Sequence, residues 1–187
     1  YVVNMGNGSI RFDTSGIRIE RAQEPSGTLK SIGIHAGLSY AFEGSSRSVP
    51  QGKKASNMLY SAFIGPQNEW QLQRRSYAEL LYGNVWSGVD AVFTSTDDGL
   101  KYQFELAAGA DPAKVQLRIG GAQSMRVASD GAMEWSIGGQ TFRDSAPLAW
   151  QMNGKRRLPV SVKYVTQQVD ANTWRVGFAV GAYDKSQ

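Results

Sequence analysis

Few side chains in this sequence could do chemistry. His35 is the only histidine among 187 residues, and there is no cysteine. A Ser–His–Asp triad would have to be built on His35. The nearest approach to a nucleophile elbow, Gly37-Leu38-Ser39-Tyr40-Ala41, lacks the second glycine of G-x-S-x-G. A lone histidine at a strand end reads as structural. The missing cysteines exclude disulfides, thiolate metal sites and a cysteine nucleophile, and one histidine excludes a multi-histidine zinc site. Gly6-x-Gly8 runs on into Ser-Ile-Arg without the third glycine of a phosphate-binding loop.

Carboxylates are the remaining route to catalysis, with Asp90, Asp97, Asp98, Glu105 and Asp111 as candidates. A glycoside hydrolase needs two carboxyl groups facing each other across a cleft, a separation that spacing along the chain does not give. Asp97-Asp98-Gly99 and Asp130-Gly131 have the composition of turns. Asp111 before Pro112 has that of a cap. Asp97 and Asp98 could also offer oxygen ligands to calcium, although no EF-hand spacing accompanies them. No other cofactor is expected, and no enzymatic activity.

Aromatic residues are plentiful: five Trp, eight Tyr and seven Phe. Trp135 and Trp174 stand in phase with Val, Ile and Phe and read as core. Trp70, Trp86 and Trp150 sit near turns and are the candidates for an exposed platform that stacks a sugar ring. Lys53-Lys54, Arg74-Arg75 and Lys155-Arg156-Arg157 are short basic clusters. A nucleic-acid surface would need them to converge with stacking aromatics; they read instead as solvated turns, and no nucleic-acid partner is expected. The excess of twenty basic over sixteen acidic residues is mild.

These residues have to be carried by strands. With 41% hydrophobic residues the chain can bury a core, and 21 glycines punctuate it. Leu100, Tyr102, Phe104 and Leu106 alternate with Lys101, Gln103 and Glu105, the two-residue period of a half-buried strand. Thr96-Asp97-Asp98-Gly99 leads into it, which predicts a hairpin with Val89–Phe93. Ile10 and Phe12, then Ile17 and Ile19, flank Thr14-Ser15-Gly16 and predict another. Glu24-Pro25-Ser26-Gly27 reads as a break. Leu29–Ala36 and Leu38–Phe42 read as strands separated at Gly37. Residues 43–57 are polar and aperiodic and read as a long loop, a candidate subdomain boundary within a single domain 1–187. Further strands are expected at Met58–Gly65, Trp70–Gln73 and Ala78–Tyr82, the last closed by Gly83-Asn84. Met133, Trp135 and Ile137 alternate before a Gly138-Gly139 hairpin turn. Trp174, Val176, Phe178 and Val180 share a face. About a dozen short strands with turns every 8–12 residues predict an all-β, antiparallel sandwich-like domain with little or no helix. No apolar run is long enough to span a membrane.

Several ordered motifs carry a family resemblance. They are Phe63-Ile64-Gly65 with Trp70, Tyr82-Gly83-Asn84-Val85-Trp86-Ser87-Gly88-Val89-Asp90, Leu100-Lys101-Tyr102-Gln103-Phe104 and Gly109-Ala110-Asp111-Pro112. Later come Gly120, Asp130-Gly131, Pro147 with Trp150-Gln151, and Val180-Gly181-Ala182-Tyr183-Asp184. Together they cover about two-thirds of the chain. In order and spacing they resemble the β-rich domain of unknown function that precedes SBBP-type β-propeller repeats in bacterial surface and secreted proteins. Trp86 stands where Tyr is common in that family, and the first 57 residues match less well. The resemblance implies an extracellular or cell-surface, modular, all-β domain and supplies no catalytic residues. The expected function is a non-enzymatic structural or interaction module that caps or presents a following β-propeller. Its expected partner is an adjacent domain of the same polypeptide or another surface protein. The alternatives are a carbohydrate-binding module using Trp70, Trp86 or Trp150 on a glycan, and a carboxylate-based glycoside hydrolase. The chain opens at Tyr1 and is expected to be a piece of a longer protein.

Overall fold

The computed structural model describes residues 1–5, 8–22, 34–63, 66–96 and 99–186. The chain is all-β. Its strands are β1 (Val2–Met5), β2 (Gly8–Asp13), β3 (Gly16–Ala22), β4 (Ile34–Phe42), β5 (Gln51–Ala62), β6 (Gln71–Trp86), β7 (Val89–Thr96) and β8 (Gly99–Leu106). The second half holds β9 (Leu117–Gly120), β10 (Ser124–Val127), β11 (Met133–Ile137), β12 (Gln140–Asp144), β13 (Ala149–Asn153), β14 (Arg156–Val160), β15 (Val162–Asp170) and β16 (Thr173–Val180). Two short 3-10 turns, Gln67–Glu69 and Pro112–Lys114, are the helical elements among the described residues. Among the described residues sixteen strands exceed the expected dozen, although two pairs of expected strands join; β1 and β14 were not expected, the latter carrying a proline. Pro159 is tolerated because β14 pairs only with β13 in a two-stranded sheet.

Among the described residues the strands form four antiparallel sheets. The largest runs β1-β2-β3-β4-β9-β16-β15, and a second runs β5-β6-β7-β8. The chain lays down β1–β4 as a meander, leaves to build β5–β8, and returns to place β9 between β4 and β16. The smaller sheets are β10-β11-β12 and β13-β14.

The buried faces of the two larger sheets meet in one core. Ile10, Phe12, Leu38, Tyr40, Phe42, Ile119 and Val176 from the first pack with Leu80, Tyr82, Val89, Ala91 and Phe93 from the second. Aromatic rings stitch the layers. Phe12 meets Phe93 edge-on at 5.5 Å, Phe42 meets Tyr82 at 5.1 Å, and Phe104 meets Phe178 at 5.9 Å. Tyr40 meets Trp135 at 6.2 Å and ties the three-stranded sheet to the same core. Edge-on pairs of this kind add to the stabilisation from burial itself.

Tyr82 is fully buried, and its hydroxyl donates into the β2–β3 turn, 2.9 Å from the Asp13 carbonyl and 3.0 Å from that of Gly16. Desolvation raises its pKa well above the ordinary tyrosine value, so it stays a donor. Tyr82→Phe keeps the ring and removes the donor. It is expected to cost about 1–2 kcal/mol in urea unfolding, and an unchanged midpoint would show that the bond contributes nothing.

Four expectations need correction. Gly37 does not separate two strands; it lies inside β4, opposite Glu20. The loop expected over 43–57 ends early, because Gln51–Asn57 belong to β5. Most of the described side chains of β5 face solvent, so no alternation marks it. Trp70–Gln73 and Ala78–Tyr82 are not separate strands, because β6 runs unbroken from Gln71 to Trp86. Gly83-Asn84 does not end it: Asn84 takes φ 50° inside an irregularity between Tyr82 and Trp86. Asn tolerates that backbone region better than most residues. The expected break at Glu24–Gly27 and most of the expected strand Leu29–Ala36 lie outside the described residues.

Candidate functional site

The β5–β6 hairpin is built differently from the rest of the molecule. β7 pairs with β6 only from Glu79 onward, so the earlier part of β6 has β5 alone beside it. Tyr77 is the last ring at the base, edge-on to Tyr1 at 5.7 Å and stacked over Gly52. Beyond it a two-stranded arm projects for about six residues a side, roughly 20 Å. Every described side chain from Asn57 to Arg75 is exposed. Met58 is 60% exposed, Leu59 56%, Tyr60 52%, Phe63 63% and Leu72 54%. Phe63 and Trp70 meet edge-on at 5.1 Å near the tip.

Register places these groups on both faces. Leu59 lies opposite Arg75 and Tyr60 opposite Arg74, and successive residues point to opposite sides. Lys54 and Gln73 have φ 52°, and the pairing shifts nearby, so the arm is bulged and twisted. Lys54 pairs with Glu79. Arg74 and Arg75 make no ion pair among the described residues. A two-stranded hairpin with neither face covered has little of its own to hold it.

The proposed sugar platforms divide. Trp86 is 3% exposed, packs edge-on against Phe42 and Phe104, and donates its indole N–H to the Glu43 carbonyl at 2.8 Å. It is a core residue and not a surface platform. Its position beside a turn did not reveal which face it occupies. Trp70 and Trp150 are 37% and 40% exposed, on different hairpins. Arg157 lies over the Trp150 ring at 4.6 Å and covers one of its faces.

The candidate carboxylates are engaged locally. Asp90 accepts from the Asn84 N–H at 2.6 Å, Glu105 from Gln103 Nε2 at 2.6 Å, and Asp111 caps the 3-10 turn by accepting from the Ala113 N–H at 3.0 Å. Asp130 accepts from the Ala132 N–H and pairs with Arg143; the Ala132 bond first, and then Arg143, hold its pKa below the ordinary value. It borders an open cleft of about 450 Å³ between the β10–β11 turn and β15, with Lys163 and Tyr164. Asp97 and Asp98, the calcium candidates, lie outside the described residues, although Thr96 and Gly99 pair across them as the hairpin requires. His35 falls in β4, and its side chain is not among those described.

Two constellations were not foreseen from sequence. Glu43 holds Arg175 with both carboxylate oxygens, at 2.6 and 2.7 Å, and stands 3.9 Å from Arg118. The Arg175 hydrogen bonds lower its pKa. The pair clasps the end of β4 to β16 across β9. The second centres on Asp144, the last residue of β12, which accepts from the Tyr102 hydroxyl at 3.1 Å. Tyr164 stands 3.4 Å from that hydroxyl and donates to the Ser145 carbonyl at 3.2 Å. Burial raises the Asp144 pKa to about 6. Only the types of residue, a lone Asp and several Tyr in phase with apolar neighbours, hint at this in the sequence.

Among the described residues no helix is long and apolar enough to cross a membrane. The family model for Domain of unknown function (DUF7948) matches residues 1–187. The chain belongs to that family. The match takes in the first 57 residues, which the motif resemblance had left thinly covered. No curated protein and no solved structure matches the chain.

Proposed function

We propose that this domain is a non-enzymatic interaction module of a modular extracellular or cell-surface protein. In this reading the sandwich is the scaffold, and the β5–β6 arm is its contact element. The observation that carries it is the arm itself: at least five large apolar side chains, each more than half exposed, sit on an element that adds nothing to the core. Large apolar side chains exposed together on one element mark an interaction site. The resemblance to domains that precede SBBP-type β-propellers supports a role in capping or presenting such a neighbour.

Contact through the arm is tested by site-specific photo-crosslinking in the cell that makes the protein. Probes at Leu59 and Phe63 are expected to give adducts where one at exposed Gln167 does not. No adducts from the arm, or the same adducts from both places, would refute this reading. Replacing residues 56–73 by a two-residue turn is expected to leave the thermal midpoint within a few degrees, because the arm is outside the core. A large fall would make the arm structural.

A second reading, glycan binding, is favoured by the exposure of Trp70 and Trp150. Glycan-dependent change in tryptophan emission, lost in Trp150→Ala, would support it. A glycan array without binding would remove it. The carboxylate hydrolase reading has less support, since Asp90, Glu105, Asp111 and Asp130 are each held by local hydrogen bonds.

A further inference from the structure

We propose that the partner of the β5–β6 arm is an anionic membrane surface, into which the tip of the arm inserts. The inference rests on the arm being the contact element and adds the chemistry of what it contacts. Three observations favour lipid over a protein groove. Leu59 and Tyr60 are adjacent and exposed, so apolar groups project from both faces. A protein partner would need matching walls on both sides, whereas a bilayer interface surrounds whatever enters it.

The order along the arm also fits. The Phe63–Trp70 pair lies near the tip, Tyr60 and Leu59 lie behind it, and Arg74 and Arg75 stand opposite those two, with Lys53 nearer the base. Apolar and aromatic groups ahead of a basic collar suit an apolar layer beneath anionic headgroups, with aromatic rings at the boundary. Finally, Glu69 is the one acidic residue between positions 55 and 78, so little opposes a negative surface. A shallow insertion of about 5–10 Å needs only the outer few residues of the arm. The β5 edge is a poor site for a second copy of the chain, because Lys53, Lys54 with its positive φ, and the register shifts beyond Ala55 guard it against strand pairing.

The test is co-sedimentation of the whole chain with vesicles of phosphatidylcholine, with and without phosphatidylglycerol, at low and raised salt. Binding is expected to the phosphatidylglycerol vesicles only, and to weaken with salt. Arg74→Glu with Arg75→Glu is expected to reduce it at least about tenfold, and Phe63→Ser with Leu72→Ser to abolish it. All four positions are exposed, so the variants should keep the wild-type unfolding midpoint. Independently of them, Trp emission of the intact protein should shift to the blue on binding, and that shift should shrink in Trp70→Phe. No sedimentation at low salt overturns the proposal. So does undiminished binding by Phe63→Ser with Leu72→Ser, which would reflect only the net charge of +4. Failure to bind vesicles alongside protein adducts from Leu59 would leave the arm as contact element and remove lipid as its partner.

Discussion

Gly121→Ala is expected to destabilise the protein by about 3 kcal/mol or more, combining backbone strain with overpacking. Gly121 follows β9, the strand that the chain returns to insert between β4 and β16. Its φ of 96° lies where L residues rarely go. A Cβ there would lie 2.2 Å from the Gly37 carbonyl oxygen. That oxygen is backbone within β4 and cannot swing aside as a side chain would. Relief would have to come from opening the β4–β9 pairing, where Ser39 faces Gly120, or from losing the bond between the Gly121 N–H and the Asn172 carbonyl at 2.8 Å. For a chain of this size the loss corresponds to a fall in Tm of roughly 6–12 °C. Gly139→Ala separates the two causes. Gly139 has φ 78° and nothing within 4 Å of the added carbon, so it carries the strain alone, about 1 kcal/mol. Equal midpoints for the two variants would show that the close approach to Gly37 is relieved at no cost.

That contact also marks the limit of what was legible. Local signals were read well. The two-residue alternation of Leu100–Leu106 and the turn before it produced the β7–β8 hairpin in register, and Asp111-Pro112 produced a capped 3-10 turn. The all-β class followed from such hairpins, because each needs only neighbours in sequence. What depended on distant chain was not legible. Gly37 looked like a separator, but it lies within β4, and the close approach that matters is of its carbonyl oxygen to Gly121, far along the chain. The first part of β5, Gln51–Asn57, looked like a loop because a strand whose sides face water has no reason to alternate. Trp86 looked like a surface residue because the irregularity at Asn84 buries Val85 and Trp86 consecutively, which strict alternation forbids. The arm was visible only as its parts, an apolar stretch at Met58–Gly65 and the Arg74-Arg75 cluster. Nothing in the sequence said that β7 would leave them without a neighbour.

Asp144→Asn is expected to stabilise the protein at neutral pH, and to do so less as the solution is acidified. Asp144 ends β12, and phenol groups from other strands face it: Tyr102 of β8 bonded to it, with Tyr164 of β15 and Tyr40 of β4, whose pKa values are raised by burial first and by the Asp144 charge as well. No basic group pairs with it among the described residues. Desolvation therefore dominates, and the pKa rises from 3.8 to about 6, with the Tyr102 bond acting weakly in the other direction. The folded chain thus holds this proton more tightly than the unfolded chain does. The penalty for carrying the charge is full above pH 6. It shrinks as pH falls through 6 and is gone below 3.8, where both states are protonated. A shift of this size corresponds to at most about 3 kcal/mol, and the residue keeps partial access to water, so about 2 kcal/mol is expected. Asn removes the charge while its amide oxygen still accepts from Tyr102. The variant should melt roughly 4–8 °C above the parent at pH 7.5, with the gap narrowing through pH 6 to 4 and the two converging below the ordinary aspartate pKa. Glu43 works in the opposite sense. Arg175 lowers its pKa, so its contribution is present at neutral pH and is lost as pH falls below the ordinary glutamate range. The parent should therefore be most stable on the mildly acidic side of neutrality, and Asp144→Asn should move that optimum upward. Melting curves for both chains from pH 4 to 8 decide the matter. Equal midpoints at pH 7.5, or a gap that widens on acidification, would mean that Asp144 is solvated and that the tyrosine cluster does not bury its charge.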